Sequence, residues 1–190
     1  MDRTRQQVRS PRTARTAERP RAPLYTEQER RRRDATRWTL VQGVLAPVQF
    51  LVFLLSLGLV LRWLATGEGF AWATASVVLK TLLLYTIMVT GSIWEKVVFG
   101  RWLFVPAFFW EDVFSMLVLA LHTAYLVVLY TGALEARGQM LLALAAYAAY
   151  LINAAQFLLK LRAARLDEAS RHAGAGVRPG AEAPTLGAAR

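Results

Sequence analysis

TLVQGVLAPVQFLVFLLSLGLVLRWL, residues 39–64, decides the fold: its only charge, Arg62, lies near the end of the stretch. A helix needs about 20 apolar residues to cross the hydrocarbon core of a bilayer, so this stretch predicts a transmembrane helix. Three further stretches satisfy the same test, at about 70–93, 112–131 and 139–161. The sequence therefore predicts an all-α integral membrane protein with a four-span domain over 38–165. The turn at 66–69, TGEG, and a second turn at 131–138 are short. Short connections make successive helices antiparallel neighbours, so a four-helix up-down transmembrane bundle is expected. The fourth span, with LLALAAYAAYLINAAQFLLK at 141–160, is rich in small residues that permit close packing.

Composition agrees. The chain is 55% hydrophobic yet carries 23 Lys and Arg against 13 Asp and Glu, so apolar and basic residues must be segregated along it. Twelve arginines and five acids fall in residues 1–37, among Pro, Thr, Gln and Ala. That composition reads as a largely disordered basic arm drawn to anionic membrane lipids, not as a nucleic-acid site, which would show a folded basic pattern or aromatic platforms. About 37 polar residues precede the first apolar run, so the start does not read as a cleavable signal peptide. Residues 166–190, rich in Ala, Gly and Pro, read as a disordered tail. The arm, Lys96, Arg101, Lys160, Arg162 and Arg165 all fall on one side of a four-span protein, which places both termini in the cytoplasm. The absence of cysteine excludes disulfides and thiolate chemistry, and the presence of two histidines in all, His122 and His172, the latter in the Gly/Ala-rich tail, argues against a bis-histidine site within one chain.

The connection between the second and third spans, GSIWEKVVFGRWLFVPAFFWED at 91–112, is not an ordinary polar loop. It carries Glu95, Glu111 and Asp112, the cations Lys96 and Arg101, and the aromatics Trp94, Trp102, Phe104, Phe108, Phe109 and Trp110. It reads as the mouth of a binding site at the membrane edge. An interfacial aromatic belt, helix capping by Glu111 and Asp112, and solvated Glu95 and Lys96 are the competing structural readings.

Each ionisable residue within a span needs a reason, because it costs about 2.5–3.5 kcal/mol on insertion scales. Lys80, His122 and Gln49 reach similar depths near the centre, while Asn153 and Gln156 lie nearer the cytoplasmic end. At about 100° per residue, Glu111, Ser115, Val118, His122 and Tyr125 form one stripe on the third span. Lys80, Ile87, Gly91 and Trp94 share a face of the second, where Gly91 leaves room for a flat object. These phases predict a polar cleft opening through the aromatic-acidic segment. Pairing of Lys80 with a carboxylate or backbone carbonyl, and interhelical hydrogen bonding by His122 and Asn153, are the structural alternatives. No nucleophile elbow, zinc-helix, Walker or dinucleotide-binding motif occurs. What remains is acid–base chemistry on an apolar substrate, and addition of water across a carbon–carbon double bond fits those means.

Five blocks carry a family resemblance: TEQERRRRDAT (26–36), WTLVQGVLAPVQFLVF (38–53), VVLKTLLLYTIMVTGSIWEKVVFG (77–100), PAFFWEDVFSMLVLALHTAYL (106–126) and AAYLINAAQFLLKLRAARLD (148–167). The chain resembles the vinyl bacteriochlorophyllide hydratases over about 25–167. The resemblance implies hydration of the C3 vinyl group of a chlorophyllide to 1-hydroxyethyl during bacteriochlorophyll synthesis, in the bacterial cytoplasmic or intracytoplasmic photosynthetic membrane. No cofactor is expected, since magnesium arrives with the planar pigment. Membrane lipids and other pigment-synthesis enzymes are the expected partners, and no nucleic acid. On this reading Glu95 or Glu111 protonates the terminal vinyl carbon, while the other carboxylate or His122 takes a proton from water. Asp112 orients a partner, and His122 has a rival role as axial ligand to the pigment magnesium. Lys80, Trp94, Lys96, Arg101, Trp110, Asn153 and Gln156 are the candidate substrate-binding residues. The competing functions are a tetrapyrrole carrier or assembly factor without catalysis and a structural or quinone-associated membrane subunit.

Overall fold

The computed structural model describes residues 24–175, and these form five helices. The first, α1, spans Glu27–Ala35 inside the expected basic arm. Its start is a capping box: the Thr26 hydroxyl accepts from the Glu29 N–H at 3.3 Å, and the Glu29 carboxylate accepts from the Thr26 N–H at 2.7 Å. Thr36 breaks the helix and caps the next by accepting from the Trp38 N–H. The reading of 1–37 as a largely disordered arm is therefore corrected over α1. Its remainder up to residue 23 lies outside the described residues.

Four long apolar helices follow: α2 Arg37–Thr66, α3 Phe70–Phe99, α4 Phe109–Thr131 and α5 Ala136–Ala175. Each of α2, α3 and α4 is long and apolar enough to cross a membrane, as is α5 over Ala136–Leu166. Gly67 and Gly69, at φ 76° and 85°, make the tight turn between α2 and α3 in a left-handed conformation that a Cβ would oppose. The expected tail also differs, because α5 continues to Ala175 before the described residues end. Ala, Leu and Arg after residue 161 are good helix formers, and no glycine or proline intervenes before Gly174.

The connection predicted at 91–112 is shorter than expected. Helix α3 runs to Phe99, where Gly100 caps it at φ 80°, and α4 starts at Phe109, so only 100–108 is irregular. Aromatic residues do not end a helix; Gly100 does. Glu95 and Lys96 thus stand on the last turns of α3, and Glu111 and Asp112 on the first turn of α4.

Helices α2 and α3 form one close pair, α4 and α5 another; the pairs meet through α2 with α5 and α3 with α4, and α1 lies against α3. Phe53, Val60, Ala73, Val77, Tyr125, Met140, Ala143 and Tyr147 join the end of α2, start of α3, end of α4 and start of α5. Leu84, Val118 and Ala149 fill the middle. Tyr25, Val98, Val105 and Phe108 close the other end. The outward faces carry exposed Leu51, Leu55, Val89 and Leu158, whereas Gln49, Ser56, Lys80, Glu95, Glu111, Asp112 and His122 are buried. Apolar side chains outside and polar ones inside is the distribution of a multi-pass membrane protein.

Among the described residues, Phe104 is the one non-glycine with positive φ, at 57°. A β-branched side chain is far less tolerant of that region than phenylalanine. Phe104→Val is expected to lower stability by about 1–3 kcal/mol, read from thermal unfolding in detergent, while Phe104→Gly is tolerated. Equal stability of the two variants would show that the backbone there is unstrained.

Candidate active site

Three helices bring their charged groups together beneath the 100–108 connection. Glu95 from α3 and Asp112 from α4 are 7% and 4% exposed, and their carboxyl groups are close neighbours, able to hydrogen-bond to one another. Such a bond exists only if one of the two holds a proton, because ionised carboxylates only accept. The connection folds back over the pair. The Phe104 N–H donates to Asp112 Oδ2 at 2.7 Å, and the Val105 main chain lies beside Glu95. The left-handed turn at Phe104 accompanies this arrangement, so the one strained residue sits at the carboxyl pair. Glu95 Oε2 is buried with no hydrogen-bond partner, an acceptor left unused beside the pair.

Glu111, one residue before Asp112, has a different environment. Lys160 from α5 donates to its Oε2 at 2.6 Å, a charge-assisted contact in which the side chains are 26% and 10% exposed. The same ammonium lies 4.9 Å from the centre of the Phe108 ring. Neighbouring carboxyls on one turn are thus divided: Glu111 pairs with a cation, Asp112 with another carboxyl group.

An aromatic wall adjoins the cluster. Phe108 meets Trp94 and Phe99 edge-on at 5.9 Å each and stacks on Phe157 at 6.0 Å, while Tyr25 stacks on Phe99 at 5.7 Å. The Trp94 indole N–H is fixed by the Thr39 hydroxyl at 2.9 Å. One turn deeper, the Asn153 amide donates to Ser115 Oγ at 2.9 Å. Asn153 Oδ1 and Gln156 Oε1 are buried without partners. Phases on α5 place Asn153, Gln156 and Lys160 on one face, three and four residues apart.

The expected α4 stripe is buried as a unit: Glu111, Ser115, Val118, His122 and Tyr125. Its two ends serve different places. His122 lies ten residues beyond Asp112, about 15 Å along the helix, and belongs to a separate layer at the bundle centre. There its Nδ1 meets the Val118 carbonyl at 2.8 Å, leaving a buried Nε2 with no partner, and its ring is 5.9 Å from Tyr147. Lys80 is wholly enclosed in the same layer, bonded to Gln49 Oε1 and lying 3.5 Å from the centre of the Tyr150 ring. Ser56 completes it with bonds to Tyr147 at 2.5 Å and Ser76 at 2.7 Å. Among the other candidates, Trp110 and Arg101 are exposed, and Lys96 binds the Gly100 carbonyl at 2.9 Å near Trp102. Gly91 faces the side chain of Gln42 on α2, and a Cβ there would stand 3.8 Å from its Oε1, an ordinary contact.

Two contributors lay outside the sequence reading. Lys160 was legible only as a topology charge, although its spacing from Asn153 and Gln156 put it on their face. The Phe104 N–H and the Val105 main chain carry no side-chain signal at all.

Fold and site together define a multi-pass helical membrane protein with a buried carboxyl pair, a neighbouring carboxylate–lysine pair and an aromatic wall at one end of the bundle. The model of the 2-vinyl bacteriochlorophyllide hydratase (BCHF) family matches residues 25–163, and the chain belongs to that family. It is 72% identical over 149 residues to a 2-vinyl bacteriochlorophyllide hydratase of Cereibacter sphaeroides, covering 78% of this chain and 92% of that protein. Against the protein of the same name from Rhodobacter capsulatus it is 68% identical over 154 residues, covering 81% and 90%. No solved structure matches the chain.

Proposed function

We propose that this chain adds water to the vinyl group of a bacteriochlorophyllide, giving the 1-hydroxyethyl pigment, and that Glu95 and Asp112 move the protons. The observation that carries the mechanism is the buried contact between those two carboxyl groups. The pair holds one proton. Glu95, with its unpartnered oxygen, donates it to the terminal vinyl carbon, forming the new C–H bond as the double bond's electron pair moves. Positive charge develops on the carbon attached to the macrocycle and delocalises into the ring system, facing three nearby carboxyl groups. Water attacks that carbon, and its surplus proton returns to the pair. One water is consumed, –CH=CH₂ becomes –CH(OH)–CH₃, and the pair ends as it began.

The remaining residues hold and shield. Trp94 and Phe157, only partly buried around the enclosed Phe108, offer aromatic surface suited to a flat macrocycle, and Asn153 and Gln156 offer unpartnered amide oxygens. Glu111, paired with Lys160, keeps a negative charge near the developing cation without supplying the proton. His122 lies too far from the pair to share one vinyl group with it, so we assign it to the central layer. Magnesium belongs to the substrate, and the proposed chemistry asks for no other cofactor.

The same reading sets the protein in its membrane. We infer an up-down arrangement of the four spans, with the carboxyl end and both termini in the cytoplasm. Lys96, Arg101, Lys160, Arg162 and Arg165 all accumulate at that end. The membrane is the bacterial inner or photosynthetic membrane, where anionic lipids meet the arginines of α1.

The test is incubation of membranes bearing the full chain with the 3-vinyl pigment in water enriched in heavy oxygen. The expected product gains the mass of one labelled water and its red absorption band moves to the blue. Recovery of unaltered pigment would eliminate the hydratase reading.

A further inference from the structure

Lys160, on α5, is joined directly to the carboxyl cluster through Glu111. Lys80, nearer the bundle centre, is enclosed by Gln49 and Tyr150; Lys96 is exposed and binds the Gly100 carbonyl; Arg101 is exposed. An ammonium group has three N–H donors. Lys160 uses one on Glu111, lies near the Phe108 ring, and keeps about a quarter of its side chain exposed at the rim of the aromatic wall.

We propose that Lys160 binds the carboxylate of the substrate and thereby selects free-acid pigments over esterified ones. The inference rests on the hydratase reading, since it names what holds that substrate. The second carboxylate docks on the unused donors, so the Lys160–Glu111 bond need not break. Phe108, beneath the ammonium, continues directly into the wall against which the macrocycle would lie. Asp112 adjoins Glu111 in sequence and lies within electrostatic reach of Lys160, so the anchor and the carboxyl pair stand at the same end of the bundle, where one macrocycle spans from its carboxylate to its vinyl group. A purely structural ion pair clamping α4 to α5 would give no preference between acid and ester.

The experiment compares kcat/KM for the 3-vinyl free acid and its methyl ester, using the full chain in native membranes, for wild type, Lys160→Met and Lys160→Arg. A charge-assisted hydrogen bond lost on esterification is expected to favour the acid by about ten- to a hundredfold in wild type. Lys160→Met brings the ratio close to one, and Lys160→Arg retains a preference. Equal use of acid and ester by the wild type overturns the proposal while leaving hydration intact. So does an undiminished preference in Lys160→Met. Conversion of neither compound by the wild type defeats the underlying hydratase reading instead. Should Lys160→Met fail to accumulate, the wild-type ratio and Lys160→Gln decide the matter in the same terms.

Discussion

Glu95→Gln is expected to lower turnover by about 10²- to 10⁴-fold, the contribution of a positioned proton donor. Glutamine keeps the size of the side chain and can still bond to Asp112, so the protein should accumulate and bind pigment normally. What it lacks is a transferable proton. The measurement is initial rate of hydration at saturating pigment, with pigment binding followed by absorbance on the same membranes. Loss of kcat with intact binding is the signature of a group acting in the transition state. Full activity in Glu95→Gln would remove the carboxyl pair from the mechanism, and loss of binding together with activity would make Glu95 a structural anchor for the connection above it. Glu111→Gln should behave differently: it breaks the pair with Lys160, so its effect should extend to binding.

Gln49→Leu is expected to destabilise the bundle by about 1–3 kcal/mol, more if the enclosed ammonium remains charged. Gln49 Oε1 is the hydrogen-bond acceptor for Lys80, which is 0% exposed and otherwise meets the Tyr150 ring. Removing the acceptor strands a donor where no water reaches it. The double variant Gln49→Leu with Lys80→Met should recover most of the loss, because an apolar pair of similar size carries no unmet hydrogen bond. Unfolding in detergent compares the three. Additive losses in the double variant would show that the two side chains do not depend on one another.

Much of this architecture is written in the sequence in plain terms. The stretch at 39–64 needs only its length and lack of charge to become a span, and α2 contains it. The stripe of Glu111, Ser115, Val118, His122 and Tyr125 follows from helical phase, and all five residues are buried. Boundaries were less legible. Aromatic and charged residues at 94–99 suggested a loop, yet nothing there opposes helical geometry until Gly100. That difference moved Glu95 from a connection onto a rigid helix.

The site was legible in its parts more than in its grouping. Phase along one helix can align Glu111 with His122, but it cannot say which helix stands opposite. The pairing of Glu95 with Asp112, and of Glu111 with Lys160, is a property of how α3, α4 and α5 meet. The backbone groups of Phe104 and Val105 depend on a turn whose conformation phenylalanine does not advertise. Lys80 and His122 illustrate the converse: depth matched them to each other, whereas the α4 stripe joined His122 to Glu111 in one cleft, and about 15 Å of helix separates His122 from the carboxyl pair.

Glu95 and Asp112 stand on opposite hairpins, one in the α2–α3 pair and the other in the α4–α5 pair. Neither hairpin owns the proton-handling unit; it exists only while the two halves stay docked. A solubilising agent that slipped between them would leave every helix wound and every span intact, yet dismantle the chemistry. Helicity is consequently a poor certificate of a competent preparation, and catalysis itself is the finer gauge of whether the halves of the molecule are still joined.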